Sequence, residues 1–370
     1  MRIMFVGGGS GGHFNPLIAI AEVLNNSPKK PDLYYIGPDP YDSEALERLN
    51  IRYVKCPAGK LRLYFSVNNF LDPFRTFFGI FVAIWKLFLI YPDVIFSKGG
   101  FTSVPVTLAA WFLRIPVVIH ESDAVPGRAN KLVRNFAEYI AVSYPEAAQF
   151  FPKEKTALVG IPVRTSTLTN TADPYTLLNI PSDLPIIYVT GGSLGSERIN
   201  NVILRVLDEL LPKYRVFHQT GARNQDELLV TAKALITDPV LQERYYSVGH
   251  ISSEMVGAIM SVASVIITRA GSTTLFEIAL HGKPSIVIPI PEDISRDQRS
   301  NAYAYARSGA ATVIEEHNIT ETLLLNEIGS IMENQEQWNK MSQAASNFAI
   351  PNAAEKISDI LIKIGDEHGS

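Results

Sequence analysis

The sequence predicts an α/β protein made of two doubly wound parallel-sheet domains. Short apolar runs alternate with helix-like segments along the chain, which is the pattern of β-α-β units on a parallel sheet. This alternation breaks in the polar run 165–171 and restarts at 186–190. The restart repeats the opening design, because each half begins with a strand, a glycine-rich turn and a helix. A length of 370 residues leaves room for two such domains.

Apolar runs and helical patterns predict the individual elements and the domain limits. In chain order the predicted strands are RIMFV, LYYIG, DVIFS, PVVIH and YIAVS, then IIYVT, VFHQT, YYSVG, VIITR and SIVIP. The predicted helices cover about 15–24, 42–49, 74–91, 102–113 and 129–136, with a closing helix over 351–364. We expect a first domain over 1–164, a second over 165–345 and a closing helical segment over 346–370.

Composition excludes several classes of protein. A net charge of −4 predicts no nucleic-acid partner. The single cysteine, Cys56, rules out an internal disulfide framework and fits a reducing compartment. The apolar run before the first glycines is too short for a secretory signal, so we expect the chain to be cytoplasmic.

An aromatic segment over 74–91 (FRTFFGIFVAIWKLFLIY) predicts contact with a membrane surface. Only ten residues separate Arg75 from Lys86, whereas a membrane-spanning helix needs about 20 apolar residues. Lys60 and Arg62 add positive charge just before this helix, which suits anionic headgroups. We therefore expect a helix that lies in the headgroup region, with a helix packed on the sheet as the alternative.

The first glycine turn resembles a dinucleotide-binding loop. Gly7, Gly9 and Gly12 satisfy the pattern G-x-G-x-x-G after a strand, but Asp39 only loosely matches the acidic residue expected on the ribose. Taken alone, this turn leaves a nicotinamide-dependent oxidoreductase open. His13 directly follows the turn, where its imidazole would face whatever the loop holds.

The second half carries the stronger signals for a nucleotide sugar. The turn RAGSTTLFE follows a strand and opens a helix whose N-terminus suits a pyrophosphate. Glu277 in this helix is placed to bind a ribose diol, with a surface carboxylate as the alternative. The polar run 297–301 suits sugar hydroxyls, with a solvated loop as the alternative. Ligands bind at the carboxyl ends of the strands in such sheets, so we expect both glycine turns to face one cleft.

Several motifs occur in order along nearly the whole chain. They are GGSGGH (8–13), GGF-S-P (99–105), IPVVIHE (115–121), GIPVR (160–164), GGSLGS (191–196), HQTG (218–221), RAGSTTLFE (269–277) and Q-x-x-N-A (298–302). Together they resemble the MurG family, the bacterial membrane-associated N-acetylglucosaminyltransferases of peptidoglycan synthesis. The resemblance implies a GT-B fold, in which two Rossmann-like domains flank the active-site cleft.

The resemblance also implies a reaction and its partners. The expected reaction is an inverting transfer of N-acetylglucosamine from UDP-N-acetylglucosamine to the 4-hydroxyl of the muramoyl sugar of lipid I, which yields lipid II and UDP. The C-terminal domain would bind the nucleotide sugar and the N-terminal domain the undecaprenyl-linked acceptor. Residues 60–91 would face the inner side of the cell membrane. No cofactor is implied, and the lack of an Asp-x-Asp pair indicates no dedicated metal site, although a divalent ion would still be able to stimulate activity.

The same resemblance assigns roles to individual residues. The expected contacts to UDP-N-acetylglucosamine are Ser10, Gly11, Gly12, Arg164, Ser193, Ile251, Arg269, Glu277, Asp297 and Gln298. The expected contacts to the acceptor and its diphosphate are Gly8, Gly9, Ser10, Phe101 and Asp123. Arg269 and the glycine turns of the second domain are expected to stabilise the leaving UDP.

His13 is the predicted general base, because an imidazole titrates near neutrality and this one stands at the acceptor-side turn. Glu121 and Asp123 are rival bases, and His13 is alternatively a donor to the acceptor diphosphate or a structural residue at a helix start. The family usually has Gln-Asn where this chain has Ser122-Asp123, so Asp123 adds a negative charge where a diphosphate or sugar is expected. Ile161 likewise replaces the usual Asn of the GNPVR motif.

Three other functions stay open at the level of sequence. A related transferase would use a different lipid or small-molecule acceptor, which Asp123 favours. A nicotinamide oxidoreductase would bind NAD at the first glycine turn. A non-catalytic sensor of a nucleotide sugar would keep the donor site without the chemistry.

Overall fold

The computed structural model describes residues 1–8, 11–59, 68–168, 172–192 and 194–369. The chain divides into two compact units, the first formed by Met1–Arg164 with Ile350–Ser370 and the second by Thr165–Ala349. The C-terminal segment therefore belongs to the unit in which the chain begins.

The first unit is built on a parallel sheet. In the described residues its strands are β1 (Arg2–Val6), β2 (Asp32–Gly37), β3 (Arg52–Lys55), β4 (Val94–Ser97), β5 (Val117–Glu121), β6 (Tyr139–Val142) and β7 (Thr156–Leu158). Its helices are α1 (Gly11–Asn26), α2 (Ser43–Arg48), α3 (Asn68–Ile90), α4 (Ser103–Phe112), α5 (Arg128–Val133) and α6 (Pro145–Ala148). The strand order is β3-β2-β1-β4-β5-β6-β7. Strands covered on both faces need continuous apolar runs, as in VIFS of β4, where every residue is buried.

The second unit repeats this architecture. Its described strands are β8 (Ile186–Thr190), β9 (Arg215–Gln219), β10 (Tyr245–Val248), β11 (Ala263–Thr268), β12 (Ser285–Val287) and β13 (Ala311–Val313). Its helices are α7 (Thr165–Leu168), α8 (Pro174–Leu178), α9 (Glu197–Leu210), α10 (Gln225–Leu235), α11 (Pro239–Gln242), α12 (Ser253–Val262), α13 (Ser272–Leu280), α14 (Arg296–Arg307), α15 (Glu321–Met332) and α16 (Gln335–Phe348). The order is β10-β9-β8-β11-β12-β13, and all the pairings are parallel.

The predicted pair of doubly wound parallel sheets is confirmed, and each predicted strand is present. The sequence did not predict β3, β7 and β13, which lie at sheet edges. In β3 and β7 most residues are partly or fully exposed, so these short segments lack the apolar run of a central strand.

In both sheets the strand order reverses beside the first strand of the unit. The reversal lies between β1 and β4 in the first sheet and between β8 and β11 in the second. Such a switch point opens a crevice at the carboxyl ends of the strands, where ligands of doubly wound proteins bind. The two glycine turns follow β1 and β8, so each lies at the switch point of its own sheet.

The last helix, α17 (Ala353–Gly369), closes the first unit. Ile357, Leu361 and Ile364 of this helix belong to the buried cluster that also contains Leu17 and Ile20 of α1. The helix thus covers α1, the element that follows the first glycine turn. It begins two residues later and ends five residues later than the predicted span of 351–364.

Candidate active site

The first glycine turn joins β1 to α1 at the switch point of the first sheet. The Tyr35 hydroxyl donates a hydrogen bond of 2.5 Å to the Gly7 carbonyl oxygen and supports the turn from β2. Gly11 and Gly12 form the first residues of α1, so the turn ends at a helix N-terminus, which attracts anions. Gly9 and Ser10, two of the predicted contacts, lie outside the described residues.

His13 is half-buried in the first turn of α1. A Cβ atom on Gly100 would lie 3.7 Å from Nε2 of His13, so the imidazole lies against the Gly99-Gly100 turn after β4. Burial, reinforced by the Lys98 ammonium, lowers the pKa of His13 to about 4, and the Asp123 carboxylate acts in the opposite direction. The imidazole is therefore neutral at pH 7 and able to accept a proton. Its pKa lies below the neutral range that the sequence led us to expect, because the ring is desolvated beside Lys98.

Glu121 is buried at the end of β5, and both its carboxylate oxygens accept hydrogen bonds. Oε1 accepts from the Asp123 backbone N–H at 3.0 Å. Oε2 accepts from the Gly127 N–H at 3.1 Å and from Nδ2 of Asn130 at 2.9 Å. Burial, followed by the charge of Asp123, raises the pKa of Glu121 to about 7. These bonds shape the loop from Ser122 to Gly127, so Glu121 holds the loop in which Asp123 lies.

Lys98 is a member of this group that sequence reasoning missed. It directly follows β4, is only 2% exposed, and its Nζ donates a hydrogen bond of 2.8 Å to Oγ of Ser122. Burial lowers the pKa of Lys98, while Glu121 and Asp123 act to raise it. The available signal was its position, because a charged residue directly after a strand at a switch point faces the ligand crevice.

The switch point of the first unit therefore brings together residues from three strand ends. His13 follows β1, Lys98 follows β4, and Asp123 follows β5. Gly8 lies in the same region, because a Cβ on it would stand 3.7 Å from Oγ1 of Thr102. Phe101, half-buried, precedes α4 in the turn that faces His13. The arrangement offers a neutral imidazole, one buried cation and two carboxylates around an anion-binding helix end.

The second glycine turn joins β8 to α9 and depends on backbone that only glycine adopts readily. Gly192 and Gly195 have φ values of +85° and +76°. A Cβ on Gly195 would overlap the Thr220 carbonyl oxygen, so the turn packs directly on the loop after β9. Thr190 Oγ1 accepts a hydrogen bond of 3.1 Å from the Gly192 N–H, which aligns the start of the turn. Ser193, a predicted UDP contact, lies outside the described residues.

Arg269 joins several segments at the second switch point by hydrogen bonds. Its Nη2 donates a hydrogen bond of 2.6 Å to Oγ of Ser196, the residue that caps α9 by accepting from the Ile199 N–H. Nη1 donates to the carbonyl oxygens of Ile288 and Pro289 at 3.2 and 3.3 Å. The guanidinium also forms an ion pair with Glu316. These bonds lie within the second unit, so Arg269 positions the glycine turn in addition to carrying charge there.

The other predicted donor contacts of the second unit lie in α13, in α14 and just before α12. Glu277 is half-buried in α13, and its charge adds to burial in raising the pKa of Tyr188, which places the carboxylate toward β8. Asp297 and Gln298 begin α14, where Oε1 of Gln298 accepts from the Ile290 N–H at 3.4 Å. Ile251 is buried in the core before α12, so only its backbone suits the predicted contact to uracil.

Asn301 was not among the predicted contacts, although it lies in the motif Q-x-x-N-A. Its Nδ2 donates to Oγ of Ser272 at 2.9 Å and to the Ala270 carbonyl oxygen at 3.4 Å. Asn301 is buried and therefore fixes the N-terminus of α13 from α14. The asparagine of the motif Q-x-x-N-A could have indicated this role, because a buried side-chain amide needs hydrogen-bond partners.

Arg164 ends the first of the two chain segments that form the first unit. It is half-buried, and its charge acts to lower the pKa of Glu22 in α1, although burial raises that pKa overall. Ile161, which replaces the usual Asn of the family motif, is buried. The charge of Arg164 thus acts on a residue of α1.

The helix α3 exposes an apolar face. Phe77, Phe81, Trp85 and Phe88 are 56–63% exposed and lie on one side of the helix, opposite the buried Ala83 and Leu87, which pack in the core. Within the part of the chain that the structure describes, no helix is long and apolar enough to cross a membrane. Lys60 and Arg62, which were predicted to add charge here, lie outside the described residues.

Among the described residues, no group of three His, Cys, Asp or Glu side chains is arranged to hold a metal ion.

The comparisons with known proteins agree with this geometry. Residues 3–142 match the model of the glycosyltransferase family 28 N-terminal domain, and residues 186–357 match that of the C-terminal domain.

Two curated relatives carry the name UDP-N-acetylglucosamine--N-acetylmuramyl-(pentapeptide) pyrophosphoryl-undecaprenol N-acetylglucosamine transferase. The relative from Bacillus thuringiensis (strain Al Hakam), whose name ends in the number 3, is 37% identical over 91% of this chain and 93% of its own length. That from Clostridium perfringens (strain SM101 / Type A) is 36% identical over 98% of each.

Two solved structures extend the comparison to the fold. The crystal structure of Acinetobacter baumannii MurG is 25% identical to this chain, has a TM-score of 0.75, and is matched over 98% of this chain and 99% of that one. A UDP-GlcNAc 2-epimerase from Neisseria meningitidis, bound to UDP-GlcNAc, has a TM-score of 0.70 with 15% identity over 98% and 100% of the two chains. The second likeness is one of fold alone.

Proposed function

Since this chain belongs to the MurG family of glycosyltransferase family 28, we infer that it transfers N-acetylglucosamine from UDP-N-acetylglucosamine to lipid I and so forms lipid II. The GT-B fold predicted from the sequence is confirmed, and the relatives support the function that the motifs predicted. The observation that carries the inference is that each unit places a glycine turn and a helix N-terminus at its own switch point. Such ends bind the phosphates of a nucleotide sugar or of a lipid diphosphate.

We propose that the second unit binds the donor. The turn from Gly191 to Ser196 and the N-terminus of α13 would face the UDP diphosphate, and Glu277 would bind the ribose. Asp297 and Gln298 would bind the sugar hydroxyls from the start of α14. The bonds of Arg269 support this placement, because they hold the glycine turn and the β12–α14 loop in one arrangement.

We propose that the first unit binds the acceptor and that His13 is the base. In the transfer, the acceptor 4-hydroxyl oxygen forms a bond to the anomeric carbon while the bond from that carbon to the UDP oxygen breaks. The hydroxyl proton passes to the neutral imidazole of His13, and UDP leaves with the electron pair of the broken bond. Glu121 is less suited to this role, because both its oxygens already accept hydrogen bonds from the 122–130 segment.

The test combines turnover with ligand specificity. The chain should transfer radiolabelled N-acetylglucosamine from its UDP donor to a lipid I analogue. UDP should raise the melting temperature, and NAD should not. Binding of UDP without transfer would point to a related transferase with another acceptor, whereas stabilisation by NAD would overturn the proposal.

We propose further that the chain works on the inner face of the cell membrane, held there by the apolar face of α3. The four aromatic side chains on that face are each more than half exposed, and an undecaprenyl-linked acceptor would lie in the same membrane. A Phe77→Ser/Phe81→Ser/Trp85→Ser variant should lose cosedimentation with vesicles that contain anionic lipid. Val230→Ser, which removes an exposed apolar residue from α10, is the matched control and should still cosediment. Equal binding by the two variants would contradict the proposal.

We also propose that no resident metal is needed. The charge of the departing UDP would be met by backbone N–H groups and by the helix ends of the second unit. Turnover after exhaustive EDTA treatment should stay within about twofold of the untreated enzyme, measured at low ionic strength where these electrostatic contacts are strongest. Loss of all turnover after EDTA treatment, with recovery on adding Mg²⁺, would contradict the proposal that no resident metal is needed.

A further inference from the structure

Lys98 and Asp123 form a pair of opposite charges at the acceptor-side switch point. Lys98 follows β4, and Asp123 lies two residues beyond the end of β5. The Lys98 ammonium is bonded to Oγ of Ser122, the residue directly before Asp123. The two charges act on each other, because Asp123, after Glu121, opposes the lowering of the Lys98 pKa by burial.

Burial makes opposing charge near Lys98 energetically favourable. Lys98 is 2% exposed, and an unbalanced ammonium in that position would carry a large desolvation cost. The nearby carboxylates of Glu121 and Asp123 supply the opposing charge. Glu121 also accepts hydrogen bonds from Gly127 and Asn130, whereas Asp123 is the carboxylate whose charge acts on His13.

The pair resolves a difficulty raised by the sequence. An aspartate beside an acceptor diphosphate would repel it, and the family usually has an asparagine at this position. The Lys98 ammonium offsets the negative charge that the Ser122-Asp123 segment brings near the turn from Gly7 to Gly12, and it also balances the neighbouring Glu121. The site then keeps its attraction for an anionic ligand.

We propose that Lys98 is a positioning residue for the acceptor: its ammonium holds the Ser122-Asp123 segment and cancels the Asp123 charge, so that a lipid diphosphate can bind beside His13. This inference rests on the proposed function, because it assumes a diphosphate acceptor in the first unit. Lys98 acts here through its neighbours and not by contact with the sugar.

The pair also adjusts the pKa of His13, which burial lowers most. The charged groups that act on the imidazole are Lys98, from the end of β4, and Asp123, from the loop after β5. Lys98 holds the pKa of His13 down, and Asp123 holds it up. Removing either charge alone should therefore move the titration of His13, in opposite directions, while removing both should largely restore it.

The test is a charge-compensation cycle with Lys98→Met, Asp123→Asn and the double variant. Lys98→Met leaves the carboxylate unopposed, so the KM for a lipid I analogue should rise about tenfold or more, while UDP affinity stays within about twofold. The pKa of His13, followed by NMR, should rise in this variant by about one unit. The double variant should recover the acceptor KM to within about threefold of the parent, because a neutral pair replaces a charged one.

Additive losses in the double variant would overturn the proposal, because a purely structural lysine would not be rescued by removing a carboxylate. If Lys98→Met does not fold, the Asp123→Asn variant decides alone. A lowered His13 pKa with an unchanged or lowered acceptor KM supports the pair, and an unchanged His13 pKa overturns it. If the parent chain transfers to no lipid diphosphate, the proposed function has failed, and the NMR titrations still test the charge pair.

Discussion

Nδ2 of Asn130 donates a hydrogen bond of 2.9 Å to Oε2 of Glu121, and this bond joins α5 to the end of β5. The same carboxylate oxygen accepts from the Gly127 N–H, and the other oxygen accepts from the Asp123 N–H. Three donors therefore converge on one buried acidic group. Such an arrangement orders a loop, and it leaves little room for the carboxylate to accept a substrate proton as well.

Replacing Glu121 with Gln should damage the loop more than the chemistry. An amide has one acceptor oxygen and adds N–H donors, so at least one of the three converging donors would face another donor. We expect a loss of about 1–3 kcal/mol in unfolding free energy, with a raised acceptor KM. Asn130→Ala, which removes one donor and keeps the carboxylate, is the control and should cost less.

Turnover distinguishes the two roles of Glu121. As a loop residue, Glu121→Gln should leave measurable kcat once the acceptor is saturating. As the base, it would lose about 10²–10⁴-fold in kcat without a comparable loss of stability. Urea unfolding and steady-state kinetics on the same preparations separate these results.

His13→Gln should lower kcat and leave donor binding intact. The substitution keeps a neutral polar side chain beside the Gly99-Gly100 turn but removes the proton acceptor. We expect kcat to fall about 10²–10⁴-fold. The dissociation constant for UDP, measured by calorimetry, should change by less than about twofold, because the nucleotide is assigned to the other unit. A loss of UDP affinity would show that the first glycine turn binds the donor.

The central strands of both sheets could be predicted from the sequence, because buried parallel strands are continuous apolar runs. VIFS in β4 and IIYVT in β8 are buried at every position, and both were predicted. β3 and β7 were not, because an edge strand is half-exposed and its sequence resembles a loop. Edge strands depend on a neighbour that is distant in sequence, which no local pattern reveals.

Some residues of the candidate site could also be predicted from the sequence, whereas their long-range contacts could not. Glycine turns and the residues that follow them could be located, because the turn chemistry is local. The position of Lys98 directly after a strand was visible in the sequence, but its burial and its bond to Ser122 were not, because a lysine after a strand is usually solvated. The hydrogen bonds from Arg269 to Ser196 and Ile288 could not be predicted either, since they join segments that lie far apart in the sequence.

Alanine at Gly195 should disrupt the second glycine turn far more than alanine at Gly192. Both glycines have positive φ, so each variant should lose about 1–2 kcal/mol from backbone strain alone. Only at Gly195 would the new Cβ overlap the Thr220 carbonyl oxygen, whereas nothing lies within 4 Å of a Cβ at Gly192. We expect UDP affinity to fall at least about tenfold further in Gly195→Ala than in Gly192→Ala. Equal affinities, measured by calorimetry, would show that the turn does not bind the nucleotide.

Arg269→Lys should weaken UDP binding, because the second glycine turn and the loop after β12 would no longer be held together. A lysine keeps the positive charge but lacks the fork that reaches Ser196, Ile288 and Pro289 together. We expect UDP affinity to fall about tenfold, with a loss of about 1–3 kcal/mol in stability from the carbonyl oxygens left without donors. Ser196→Ala removes one of these bonds and the cap of α9, and should cost about 1 kcal/mol. Retained affinity in Arg269→Lys would mean that charge alone matters there.

Stability should fall as the pH drops from 7 to 5. Burial lowers the pKa of His120 and of His218 to about 3, and burial with Lys98 lowers that of His13 to about 4. Below the ordinary value of 6.5 the unfolded chain binds protons that the folded chain does not, so each histidine should cost about 2 kcal/mol at pH 5. Glu121 acts oppositely, because its raised pKa means that the folded chain gains a proton first as the pH falls. The net loss should be a few kcal/mol.

His218 offers a direct test of this pH dependence, because it lies in the core of the second unit and the proposed base belongs to the first. Its nitrogens lie 3.0 Å from the Tyr245 hydroxyl and 3.0 Å from Oδ1 of Asn200, so a neutral amide is a reasonable replacement. In His218→Gln the dependence of unfolding free energy on pH between 7 and 5 should lose about one histidine's share, about 2 kcal/mol. His250→Gln, at an exposed position, is the control and should keep the parent slope. A His218→Gln variant with the parent slope would show that this buried imidazole is not the source of acid sensitivity.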